Sequence, residues 1–181
     1  MSDIEKQISS TIISKTFKEI QKRPLKNIGC SVGLIDNNIY SWKCTLNGPY
    51  DTPYKGGFYK VFLYFPVNFP MSAPEVVFNT PIYHLNVNPV KTKNQKLGHC
   101  CISTINNWIP ETSIEDILVS IFGLFYAINP ESAYLGYGVD AIKEFNMNRE
   151  EYNKKIRYFT EKYANGKYSC KDVDRWDFSY N

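Results

Sequence analysis

The residues best suited to chemistry lie between Pro81 and Pro110. This stretch holds both histidines of the chain, His84 and His99, two of its five cysteines, Cys100 and Cys101, and an asparagine, Asn86, just after His84. A thiol is the strongest nucleophile at neutral pH among common side chains, and a carboxamide N–H can stabilise an oxyanion. If the loop between Asn86 and Cys101 folds back, donor and nucleophile share one shallow groove. That pairing suggests acyl transfer through a thioester. A vicinal disulfide or a metal pair at Cys100 and Cys101 is the competing idea, and the metal reading lacks the Cys-x-x-Cys spacing and a second ligand cluster. No metal and no cofactor is expected.

Such a groove needs elements to hold it. Ile13, Phe17 and Ile20 recur at helical spacing and predict an amphipathic helix from Ile4 to Lys22, ended by Pro24. Four strand-like stretches follow: Ile28 to Ile35, Tyr40 to Leu46 with period-two alternation, Phe58 to Phe65, and Glu75 to Phe78. Asp36-Asn37-Asn38, Gly48-Pro49 with Gly56-Gly57, and Phe69-Pro70 with Ala73-Pro74 separate them. A helix and then four consecutive strands predict an antiparallel meander and an α+β fold. Beyond the reactive stretch, Thr112-Ser113-Ile114-Glu115 reads as a capping box. Ile114, Ile117, Leu118, Ile121 and Leu124 then predict a central helix across the sheet, broken by Asn129-Pro130. A shorter helix from about Val139 to Phe145 and a last one from Arg149 to Tyr163 complete the pattern, and Asn165-Gly166 marks the end of the compact region. The tail from Lys167 to Asn181 carries no pattern that assigns it a structure.

Composition bounds the rest. A chain of 181 residues with 43% hydrophobic and 22% charged residues suits one globular domain with a substantial core. The net charge of +3 is small and dispersed, so no nucleic-acid partner is expected. The N-terminus lacks the apolar stretch of a signal peptide, and no apolar run approaches membrane-spanning length. An odd cysteine count, with Cys30, Cys44 and Cys170 scattered, favours a reducing compartment, cytoplasmic or nuclear. Cys30 and Cys44, in strand-like segments, read as small buried hydrophobes.

The order of elements resembles the ubiquitin-conjugating (UBC) fold, and the residues carry the resemblance further. Gly48-Pro49 followed by Tyr54-Lys55-Gly56-Gly57-Phe58 is similar to the family's Gly-Pro to Tyr-x-Gly-Gly passage. Phe65-Pro66, Phe69-Pro70 and Ala73-Pro74 resemble its Phe-Pro-x-x-Tyr-Pro-x-x-Pro-Pro run. Tyr83-His84-Leu85-Asn86 resembles Tyr-His-Pro-Asn, and Gly98-x-x-Cys101-Ile102 resembles Gly-x-Ile-Cys-Leu. Trp108-x-Pro110-x-Thr112 and Asn129-Pro130 follow in the family order. These matches run collinearly over residues 10–164, taken as the core domain, with 1–9 and 165–181 as terminal extensions. The implied architecture is an N-terminal helix, a four-stranded antiparallel meander, a central long helix and two C-terminal helices.

The resemblance implies an enzyme that takes ubiquitin or a ubiquitin-like modifier from an activating enzyme as a thioester. It then passes the modifier to a substrate lysine or a ubiquitin ligase. Its register puts Cys101 on the catalytic position and Cys100 on a structural one, with the two thiols facing opposite ways if the segment is extended. Asn86 matches the residue held to stabilise the oxyanion or to brace the loop. Asp140 matches the acid that positions the incoming lysine, and a helix N-terminal carboxylate is its alternative role. His84 reads as a structural ring and His99 as an exposed loop residue. Met71, Ile109 and Pro110 fall on the family's ligase-contacting loops, the first helix is expected to engage the activating enzyme and ligase, and the chain is read as a monomer. Leu85 replaces the family proline, the loop 88–97 is longer than usual, and Ser103 replaces a frequent Asp. These departures keep a second reading open, a catalytically weak adaptor of the same fold that binds ubiquitin or a partner noncovalently. A cysteine hydrolase would need a base beside the thiol.

Overall fold

A computed structural model describes residues 3–134, 136, 138–168 and 173–180; Cys170 lies outside the described residues. Helix α1 spans Asp3–Lys22. Strands β1 (Cys30–Ile35), β2 (Asn38–Asn47), β3 (Phe58–Tyr64) and β4 (Glu75–Phe78) form one antiparallel sheet in the order β1-β2-β3-β4, the meander that the sequence predicts. Helices α2 (Ser103–Asn106), α3 (Ile114–Gly123), α4 (Gly138–Met147) and α5 (Arg149–Tyr163) follow. No helix among the described residues is long and apolar enough to cross a membrane.

Period-two alternation selects the buried face of the sheet. Trp42, Cys44 and Leu46 of β2 lie opposite Leu63, Val61 and Tyr59 of β3, and Val61 and Leu63 lie opposite Phe78 and Val76 of β4. All eight side chains are buried. The helices cover this face. Phe17 of α1 meets Trp42 edge-on at 5.1 Å, Phe125 meets Tyr59 at 5.1 Å, and the Tyr59 hydroxyl bonds the Thr160 hydroxyl of α5 at 2.8 Å. Ile114, Ile117, Leu118 and Ile121 bury the predicted stripe of α3.

Three features depart from the sequence reading. The α3 capping box sits one residue later: Ser113 Oγ accepts the Asp116 N–H (3.0 Å), and Asp116 Oδ2 accepts the Ser113 N–H (3.3 Å). Two overlapping boxes are written in residues 112–116, and the helix uses the second. The helix also ends at Gly123, well before Asn129-Pro130, because Leu124, Phe125 and Tyr126 bond to carbonyls three residues back and tighten the chain. Finally, residues 173–180 of the tail are packed onto the domain. Trp176 is 4% exposed, its N–H donates to the Pro89 carbonyl (3.0 Å), and Arg175 bridges Val90 in antiparallel fashion. The loop 88–97 is therefore paired with the C-terminal strap, and Lys91 and Lys96 make ion pairs with Asp174 (3.1 Å) and Glu75 (2.5 Å).

Candidate active site

The reactive segment runs between two neighbours that fix it from both sides. Its Gly98 carbonyl accepts the Phe78 N–H of β4 (2.8 Å), and Cys100 N–H donates to Val76 (3.3 Å). On the other side the Asn88 N–H donates to His99 (2.8 Å), and the Cys101 N–H donates to the Asn86 carbonyl (3.0 Å). Gly98 is required at the entry: its φ is +79°, and a Cβ there would stand 1.9 Å from the Phe78 carbonyl oxygen. Beyond Gly98 this pairing makes residues 99–101 extended, so adjacent thiols face opposite ways. Cys100 is 2% exposed, its S–H directed at the Val76 carbonyl (3.6 Å), and burial pushes its thiol far above the ordinary range. Cys101 is half-buried and opens onto a groove.

Asn86 stands at the floor of that groove, 2% exposed. Its carboxamide donates to the Asn129 carbonyl (2.7 Å) and the Ser132 carbonyl (3.1 Å), while Oδ1 accepts the Asn129 N–H (2.8 Å). Both amide hydrogens are thus engaged in holding residues 129–132 against the reactive segment. His84 is fully buried. Its Nδ1 accepts the Asn86 backbone N–H (3.0 Å), and Nε2 donates to the Leu124 carbonyl (2.8 Å). Desolvation outweighs the bond to the Leu124 carbonyl and lowers its pKa to about 4, so the ring is neutral and both nitrogens are occupied. Leu85, where the family has proline, is fully buried. His99 is half-buried rather than exposed, because its Nδ1 meets the Tyr134 hydroxyl at 2.8 Å. Neither ring is placed as a base for Cys101, which leaves the hydrolase reading without its dyad.

Asp140 is exposed on α4 and is not among the residues that line the Cys101 groove. It lines a separate depression with Tyr83, Glu144 and Lys155. The groove instead gathers Ser103, Asn106, Ser120, Asn129 and Ser132 around Cys101 and Asn86. Asn106 is the residue that sequence reading missed. It closes the single turn of α2, its N–H bonded to the Ile102 carbonyl (3.0 Å), and its Nδ2 donates to Cys101 Sγ (2.9 Å). Four apolar or small residues separate no recognisable motif here; the only signal is an amide five residues after the thiol, and it acquires meaning once the turn is known. Thr104 Oγ1 and Ser120 Oγ, 2.6 Å apart, fasten that turn to α3.

Away from the thiol, Trp108 Nε1 donates to the Pro70 carbonyl (2.7 Å), and its ring lies 5.8 Å from that of Phe69. This bond ties the loop carrying Ile109 and Pro110 to the loop carrying Met71. Met71 and Ile109 are 67% and 57% exposed on these two loops.

An ordered α+β frame, an outward thiol beside an inward one and an asparagine braced behind it match the family suggested by the motifs. The ubiquitin-conjugating enzyme family model matches residues 12–160. The chain belongs to the ubiquitin-conjugating enzyme family. It is 36% identical over 164 residues to "Ubiquitin-conjugating enzyme E2 15" of Schizosaccharomyces pombe, an alignment covering 82% of this chain and 91% of that protein. This ubiquitin-conjugating enzyme is accordingly a thioester-forming acyltransferase of α+β UBC fold, and its reaction partners are ubiquitin and the activating enzyme that supplies it.

Proposed function

We propose that Cys101 is the residue that carries ubiquitin. The single observation supporting this is the opposed facing of the vicinal thiols, with Cys101 at the groove and Cys100 buried against Val76. In this reading the Cys101 sulfur attacks the activated C-terminal carbonyl on the activating enzyme and displaces that enzyme's thiol. The resulting thioester keeps the acyl group activated, so a lysine amine or a ligase thiol can displace Sγ in turn. Asn86 acts by bracing residues 129–132, where both its amide hydrogens are committed, while its backbone carbonyl holds the Cys101 N–H. Asp140, which does not line the Cys101 groove, is read as the helix N-terminal carboxylate of α4. Met71, Ile109 and Pro110 offer the apolar contact for a ubiquitin ligase, because the bond from Trp108 to Pro70 holds the two loops together. The four described cysteines are unpaired, which supports a reducing, cytoplasmic or nuclear setting, and the enzyme is read as a monomer.

Charging with ubiquitin, ATP and activating enzyme tests the assignment. Wild type and Cys100→Ala form a conjugate cleaved by reductant, and Cys101→Ser forms at most a slower, reductant-resistant ester. A conjugate that survives in Cys101→Ala and disappears in Cys100→Ala would overturn it.

A further inference from the structure

We infer that Asn106 is a catalytic residue, the side-chain donor to the negative charge that moves between the acyl oxygen and Cys101 Sγ. The inference rests on the reading of Cys101 as the ubiquitin carrier and adds to it a residue that the sequence motifs do not mark.

Three observations carry it. Asn106 Nδ2 lies 2.9 Å from Cys101 Sγ, within contact of the reacting atom itself. Its carboxamide makes no other hydrogen bond among the described residues and is exposed, so its second N–H is free for an incoming group. Asn86, a second carboxamide in the groove, has both hydrogens on backbone carbonyls at 2.7 and 3.1 Å, and reaching an oxyanion would break part-buried bonds. The donor is also held in place from below. Ile102 is 4% exposed and anchors the start of the turn, while the Thr104–Ser120 bond fixes the turn to α3.

The electron bookkeeping shows where such a donor acts. In discharge, the lysine nitrogen lone pair forms a C–N bond to the thioester carbonyl carbon, and the carbonyl π pair moves onto oxygen. When that pair returns, the C–S bond breaks and Sγ leaves with both electrons as thiolate, while the proton shed by nitrogen passes to solvent. The oxyanion and the departing sulfur share one carbon, so a donor seated at Sγ reaches both with a small side-chain rotation. A charge-assisted hydrogen bond is stronger than one to a neutral thioester, so the interaction favours the transition state over the ground state.

The test is single-turnover discharge of preformed ubiquitin thioester on the full chain, to free lysine and separately to a small thiol, after the activating enzyme is quenched. Both acceptors pass through the same oxyanion and expel the same sulfur. Asn106→Ala should slow both by roughly ten- to a hundred-fold, below the full effect of a buried donor because the site is open to water. Asn106→Asp, of the same shape, should be slower than Asn106→Ala, since its carboxylate repels the developing charge. Both variants should keep the wild-type melting temperature, because the side chain is exposed. Discharge of Asn106→Ala within about two-fold of wild type, or Asn106→Asp no slower than Asn106→Ala, would overturn the inference. Failure of the wild-type chain to form any conjugate on Cys101 would instead remove the underlying assignment, and the charging gel reports that separately.

Discussion

Replacing Asn86 with alanine separates a brace from a chemical donor. The substitution removes two bonds that the carboxamide donates, to Asn129 and Ser132, and one that it accepts from Asn129. Two carbonyls and one N–H then lose their partner in a half-buried setting. Each such group costs about 1 to 3 kcal/mol, and the partial access of water to residues 129–132 puts the total near 3 kcal/mol. For a chain of 181 residues, where 1 kcal/mol shifts the midpoint by about 2 to 4 °C, the melting temperature should fall by roughly 6 to 12 °C. Asn86→Asp should fall further, because it keeps the acceptor for Asn129 but sets a carboxylate against two carbonyl oxygens. Thermal denaturation followed by circular dichroism gives the midpoints, and hydrogen exchange at the Asn129 amide reports the lost bond directly. An Asn86→Ala protein that melts within about 1 °C of wild type and keeps Asn129 protected, yet discharges a hundred-fold more slowly, would refute the reasoning and return Asn86 to the oxyanion.

Three further outcomes follow from the same structure. The folded pKa of His84, about 4, lies below its ordinary 6.5, so the unfolded chain binds the extra proton first. Stability should be unaffected above pH 6.5, fall by up to about 3 kcal/mol as pH drops towards 4, and level off below; urea midpoints of His84→Gln should lack that component. Trp176→Ala should cost about 3 to 5 kcal/mol in urea unfolding and speed hydrogen exchange at the Lys91 amide, which donates to the Asp174 carbonyl; a cost under about 1 kcal/mol would show that the strap is not part of the core. Asp140→Ala should discharge to free lysine within about two-fold of wild type, and a large loss rescued by raising the pH would place it with the incoming amine after all.

What the sequence alone determined rests on short-range rules. Period-two alternation in β2 and β3 and the helical stripe Ile114, Ile117, Leu118 and Ile121 wrote the sheet and its covering helix, because burial of one face needs only local spacing. The choice of Cys101 over Cys100 came from the family resemblance, with Gly98 laid on the family glycine, and parity along an extended segment added that the two thiols face opposite ways. Tertiary structure decided whatever depended on a partner distant in sequence. The carboxamide of Asn86 is committed by carbonyls at 129 and 132, a helix away from it, and no local pattern announces which bonds an amide will make. Asp140 sits on the expected helix and lines a depression with Tyr83, Glu144 and Lys155, a grouping that no local pattern announces. Trp176, in a tail with no periodicity, finds its place only because Pro89 and Val90 offer a backbone edge to pair with. Asn106 reaches Cys101 because Ser103–Asn106 winds into one helical turn, and a single turn is too short for any periodic signal to reveal.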